Sequence, residues 1–239
     1  ILALQAIGHV ATRWLGPRLG LAASGFFSGF VSSTATVATM GARHRAQPGQ
    51  PDWHACAGVM SGAATWLQAL LMSVALAPSA GATLAPSALL GAAVAVGAGG
   101  LLLQRSRQRP GVETQEDVRP LRLREAAIVA AVLAGVAWGV SQAQQLFGTT
   151  GLFAGVALAS LADSHAPVVS SAALFQAGRL DASTLLTSML LAIGVNTVSR
   201  CVVAWLSGGP AYAWRVAAGL GSAAVVAALA GWLTLSTTG

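Results

Sequence analysis

The chain has 239 residues, 55% of them hydrophobic and only 8% charged, with a formal net charge of +6. A soluble domain carries roughly a quarter charged residues, so this composition excludes a water-soluble globular fold and points to a protein held in lipid. The positive balance comes from arginine alone, and the arginines cluster at the ends of apolar runs. There they report membrane topology and not a nucleic-acid-binding stripe.

Eight apolar runs follow one another, separated by turn residues. They are Ile1–Leu15, Leu19–Ala42, His54–Leu76, Pro86–Leu103, Glu125–Leu146, Leu152–Phe175, Ser183–Leu206 and Ala211–Leu235. The first is shorter than the ~20 residues a span needs and reads as the remainder of a longer chain. Small residues such as Gly91, Ala95 and Gly99 offer faces for close helix packing. Cys56 and Cys201 lie inside apolar runs and read as small buried hydrophobes.

The longest polar segment, 105–124, holds six arginines. The positive-inside rule places it in the cytoplasm. Counting spans outward then makes the loops at Arg43–Arg45 and Arg179 cytoplasmic, with both termini inside. The loops at Ala77–Ala85, Gly148–Gly151 and Ser207–Pro210 carry no arginine and fall outside. This divides the chain into a first membrane repeat (1–104), an Arg-rich loop (105–124) and a second membrane repeat (125–239).

The repeat rests on two polar interruptions. Phe30-Val31-Ser32-Ser33-Thr34-Ala35 aligns with Leu161-Ala162-Asp163-Ser164-His165-Ala166, and Ser61–Gln68 aligns with Ile193–Arg200. Four spans separate the copies. An even number makes the repeats parallel, related by an axis along the membrane normal. The expected fold is therefore an all-α polytopic membrane protein. It has about eight transmembrane helices in two parallel four-helix repeats, with helix breaks near Ser32–Thr34 and Asp163–Pro167.

The interruptions also carry the candidate chemistry. An ionisable residue inside an apolar run is costly and faces protein or a water-filled cavity. Asp163 can bind a cation or proton, or it can cap the helix that follows. His165 can take a metal or relay protons if the chain is unwound, or pack with its nitrogens satisfied locally. Ser164 lies between them. Asn196 and Arg200 share a helix face one turn apart, and Arg200 can pair with Asp163 or snorkel toward an interface. Ser32, Ser33 and Thr34 supply hydroxyls in the first copy. Asp163 and His165 are the candidate metal ligands, so a bound cation is the only cofactor the residues suggest. No nucleophile elbow, P-loop or zinc-protease motif supports an enzyme.

Gly29–Ala38 (GFVSSTATVA), Ser160–Ala172 (SLADSHAPVVSSA) and Val195–Arg200 (VNTVSR) carry a resemblance. The chain resembles the C-terminal membrane domain of unknown function that follows the MgtC/SapB module in bacterial membrane proteins. In that family the second motif carries two acids; here Asp163 matches the first and His165 replaces the second. Gln68 stands where the first repeat usually has arginine. The resemblance implies a bacterial inner membrane and suggests magnesium. The expected function is a transporter or channel for a small ion, a cation such as Mg²⁺ among the candidates. The alternative is a non-transporting sensor or partner-binding module. Lipid, a small ion and a second copy of the chain are the partners such a protein would have.

Overall fold

The computed structural model describes the backbone of residues 2–46, 52–105 and 150–238, and the side chains of 19–46, 52–105 and 150–236. All regular structure among the described residues is helical. The elements are α1 (Leu2–Ala46), α2 (Trp53–Leu76), α3 (Pro78–Arg105), α4 (Thr150–Ser160), α5 (His165–Gln176), α6 (Ala182–Gly208) and α7 (Pro210–Thr238). Five of them are long and apolar enough to cross a membrane. The expected Arg-rich loop and the Glu125–Leu146 span lie outside the described residues, so the count of eight spans is not established.

Prolines set two of the helix starts. Ala77 is extended, as a residue before proline prefers, and α3 begins at Pro78. The expected start at Pro86 is corrected: Pro86 lies inside α3, where a membrane helix tolerates it. Gly209 ends α6 at φ +80° and Pro210 opens α7, the glycine-then-proline order of a helix end and start. Asp181 caps α6 by accepting from the Thr184 amide at 2.7 Å. That bond holds its carboxyl below the usual carboxylate range.

The bundle is lined with small side chains and faced with large ones. Ala55, Ala57, Ala63 and Ala64 are fully buried, whereas Leu71, Leu101, Val198, Leu206 and Trp232 are exposed. Lipid solvates the large residues, and small ones let helix backbones approach. Gly91 lies flat against the Trp66 ring, and Gly99 against Met60 and Cys56.

Two ends of the bundle can be distinguished. At the arginine end, Arg45 donates to the Leu206 carbonyl at 2.9 Å, and Arg215 pairs with Asp52 at 2.9 Å. Leu102 of α3 joins the core cluster there with Ala57 and Tyr212. At the far end lie the α2–α3 turn, the start of α6 and the end of α7, where Gly231 meets Leu186 and Ser87. Helix α2 therefore runs from the arginine end to the far end, and α6 runs back.

α1 does not cross. The hydroxyls of Ser28 and Thr36, eight residues apart, meet at 2.9 Å, whereas a straight helix would hold their Cα atoms about 12 Å apart. Ala22, Val37 and Met40 share the arginine-end core cluster. Gly25 packs on Ala57 and Gly29 on Ser61, yet His44 lies beside His54. The two arms of α1 enter and leave at the same end, with the bend at Ser28–Thr36. The expected interruption near Ser32–Thr34 is thus a sharp bend of a chain that stays helical. Its polar groups are met locally: Thr36 donates to the Ser32 carbonyl and the Ala35 amide to Ser32 Oγ.

α4 and α5 form a second hairpin from the far end. Leu152 and Val156 of α4 and Val168 and Ala172 of α5 lie in one core cluster with Leu185 and Met189. Between them, 161–164 is non-helical. The expected break at Asp163–Pro167 is shifted toward the N-terminus, because Pro167 fits the first turn of α5, where a missing N–H costs nothing.

Parallel repeats are corrected by this topology. The Leu152–Phe175 run turns back instead of crossing, which changes the parity of every later element. α2 and α6, matched in sequence, run in opposite directions. Arg179 and the end of α7 lie opposite Arg45 and Arg105. In sealed membrane vesicles, single cysteines replacing Arg45 and Arg179 should react with an impermeant thiol reagent from opposite faces; reaction from one face would contradict this arrangement.

Candidate functional site

The break between α4 and α5 exposes backbone carbonyls that a helix would have used. α6 supplies the donors. Asn196 Nδ2 donates to the Ser160 carbonyl at 3.1 Å, and Ser199 Oγ to the Leu161 carbonyl at 2.7 Å. These bonds set the tip of the hairpin against the middle of α6. They answer the rule that broken backbone inside a membrane must find protein partners.

At the same tip, Asp163 folds back on its own segment. Its Oδ2 accepts from the amides of His165 at 3.1 Å and Ala166 at 3.2 Å. Its Oδ1 lies 2.6 Å from His165 Nδ1. The two side chains converge because the chain between them is unwound. The carboxylate caps α5, as an aspartate at a helix start does, and fixes the imidazole with its Nε2 buried and unpartnered. Ser164 is buried beside them. As metal ligands Asp163 and His165 stand as a pair: no group of three His, Cys, Asp or Glu side chains occurs among the described residues.

Arg200 projects the other way. It is 1% exposed, which excludes snorkelling to an interface. Its Nη1 donates to Thr65 Oγ1 and its Nη2 to Ser61 Oγ, both at 3.2 Å, and its Nε has no partner. The expected pair with Asp163 does not form; among the described residues the ion pairs are Asp163–His165 and Asp52–Arg215. The physical reason is that Asp163 is already satisfied by backbone amides and imidazole, which stronger local geometry provides. Gly62 lies beside the guanidinium, where an added Cβ would come within 3.4 Å of Nη2.

The first hairpin reaches the same level. Gly29 packs on Ser61 and Ala64, one helical turn around Arg200's partners. Ser32 and Thr34 are half-buried and Ser33 is buried at its bend. The structure thus groups Asp163, Ser164 and His165 at one tip, the Ser32–Thr34 cluster at the other, and Asn196 and Arg200 on α6 between tip and α2. Ser61 and Thr65 were missed as site residues. Their signal was present: four residues apart, they share one helix face in the stretch that aligns with Ile193–Arg200.

The family described as Domain of unknown function (DUF4010) matches residues 1–208, and the chain belongs to it. No curated protein and no solved structure matches the chain.

Two outcomes follow for variants. Asp163→Ala should cost about 0.5–2 kcal/mol through loss of the cap, and Asp163→Ser should recover most of it. In a double-mutant cycle of Asp163→Asn with Arg200→Gln, the effects on thermal stability should add, because the side chains share no contact; a coupling well above ~0.5 kcal/mol would show that they interact.

Proposed function

We propose that this chain is a bacterial inner-membrane transporter or channel for a small ion, with its path through the polar contact of the two hairpins at mid-bilayer. The observation that carries this reading is the convergence of Arg200, Ser61, Thr65 and Asn196 with both hairpin tips at the centre of an otherwise apolar bundle. A protein that only needs to pack helices gains nothing from a buried guanidinium there.

The order of elements supports it. A hairpin followed by two crossing helices occurs twice: α1, α2, α3 and then α4–α5, α6, α7. The second set runs in the opposite direction. α1 touches α6 as α5 touches α2, and α7 touches α2 as α3 touches α6. This is the pattern of inverted repeats, in which interrupted segments from the two halves meet at a midplane site. The arginine end holds Arg43, Arg45, Arg105 and Arg215, so the positive-inside rule makes it cytoplasmic. The far end, with the end of α7, then faces outward.

The resemblance to the domain that follows the MgtC/SapB module puts Mg²⁺ on the panel of ions to test. The non-transporting alternative draws on the local satisfaction of Asp163 and of the Ser28–Thr36 hydroxyls. Flux separates the two. The full chain in proteoliposomes should pass at least one of Mg²⁺, H⁺ and chloride faster than empty vesicles. Asn196→Leu, which leaves the Ser160 carbonyl unpaired at a cost of about 1–3 kcal/mol, should slow it in protein that still inserts. No flux of any of these ions would return the chain to the sensor or partner-binding class.

A further inference from the structure

We infer that Arg200 binds a small monovalent anion at the centre of the bundle, an inference that rests on the small-ion reading above and names the sign of the ion. A guanidinium keeps its charge under any condition a protein meets. This one is 1% exposed, and it uses two of its five donors on neutral hydroxyls at 3.2 Å, the long end of the hydrogen-bond range. Nε is buried with no partner. Ionisable groups within membranes pair with one another or with backbone carbonyls, and this guanidinium meets neither, only two hydroxyls; a buried ion without a compensating partner is strongly unfavourable.

Among the described residues no acid supplies such a charge. Of its seven acids, Asp163 is bound to His165 and two amides, Asp52 to Arg215, and Asp181 caps α6. The remaining four fall at 113–125, in or beside the Arg-rich segment and outside the described residues. A diffusible anion completes the charge balance.

Ser61 and Thr65 can receive it. Each hydroxyl now donates to a carbonyl of its own helix, to Gly58 at 2.6 Å and to Ser61 at 3.1 Å, while accepting from Arg200. A hydroxyl rotates between donor and acceptor roles. Turned toward an anion, both would donate to it while Arg200 holds it. The helix carbonyls they release keep their backbone bonds. The size is limited by Gly62: an added Cβ there would meet Leu220 Cδ2 as well as Arg200. A cation at the same point would face the bare guanidinium.

The test uses the detergent-purified full chain, melted in sodium chloride and in sodium gluconate at equal ionic strength. A ligand that binds only the folded state raises Tm in a saturable way. Chloride should raise Tm, Arg200→Gln should abolish the rise, and the Ser61→Ala/Thr65→Val double variant should diminish it with the charge still present. Gln68 occupies the matching position of the first half, so glutamine is a side chain this architecture already accepts. If Arg200→Gln does not fold, the hydroxyl variant decides: an undiminished chloride effect overturns the inference, as does its absence from the unmodified chain. The same preparations are assayed for flux. A chloride-dependent Tm without flux of any ion keeps the anion site and overturns the transport reading. Flux of Mg²⁺ or H⁺ without the chloride effect does the reverse.

Discussion

An arginine cannot lose its proton to escape a low-dielectric environment, and inside a packed bundle there is no bulk water to share its charge. Arg200 sits under that constraint, 1% exposed, with two hydroxyls as its partners. Much of the architecture can be understood as what surrounds it. α6 must place residue 200 inward; α2 must bring Ser61 and Thr65 onto one face; Gly62 must leave room. Gly29 of the first hairpin closes on the other side of Ser61. Because α2 and α6 belong to different halves of the chain, the guanidinium also ties those halves together.

The hairpins have a common problem and two solutions. Each must turn inside the apolar bundle without leaving amides or carbonyls unpaired. In α1 the chain bends while remaining helical, and Ser28, Ser32 and Thr36 take up the disturbed bonds. In α4–α5 the helix opens at 161–164. Asp163 takes the freed amides of α5, and Asn196 and Ser199 of α6 take the freed carbonyls of α4. The carboxylate is needed in the second hairpin because its helix is broken, and hydroxyls suffice in the first because its helix is not. This difference accounts for the asymmetry between Ser32 and Asp163 at matched positions.

Membrane class, helical fold and the interruptions at Ser32–Thr34 and Asp163–His165 were legible from hydropathy and from polar residues out of place. Direction was not. A re-entrant hairpin and a crossing helix have similar length and composition, and Leu152–Phe175 is long enough to be either. One such misreading inverts every later element, so that α2 and α6, expected to run the same way, run in opposite directions. The partner of Arg200 was also hidden. Opposite charge makes Asp163 the natural choice, but a carboxylate two and three residues from free amides is satisfied at shorter range than any interhelical contact. The hydroxyls of Ser61 and Thr65 carry no charge to draw attention, only their i, i+4 spacing.

The turning back of α1 is the claim on which opposed halves and the central meeting of the tips depend. It is tested most directly by the distance between spin labels at positions 19 and 42, on the two arms. An unbent helix would separate these Cα atoms by about 35 Å. Arms lying side by side give a separation on the order of 15 Å, the spacing of packed helices plus the label linkers. A narrow distribution near the shorter value is the expected result in proteoliposomes; one near the longer value would mean that α1 crosses the membrane and that the halves do not meet at Arg200 as described.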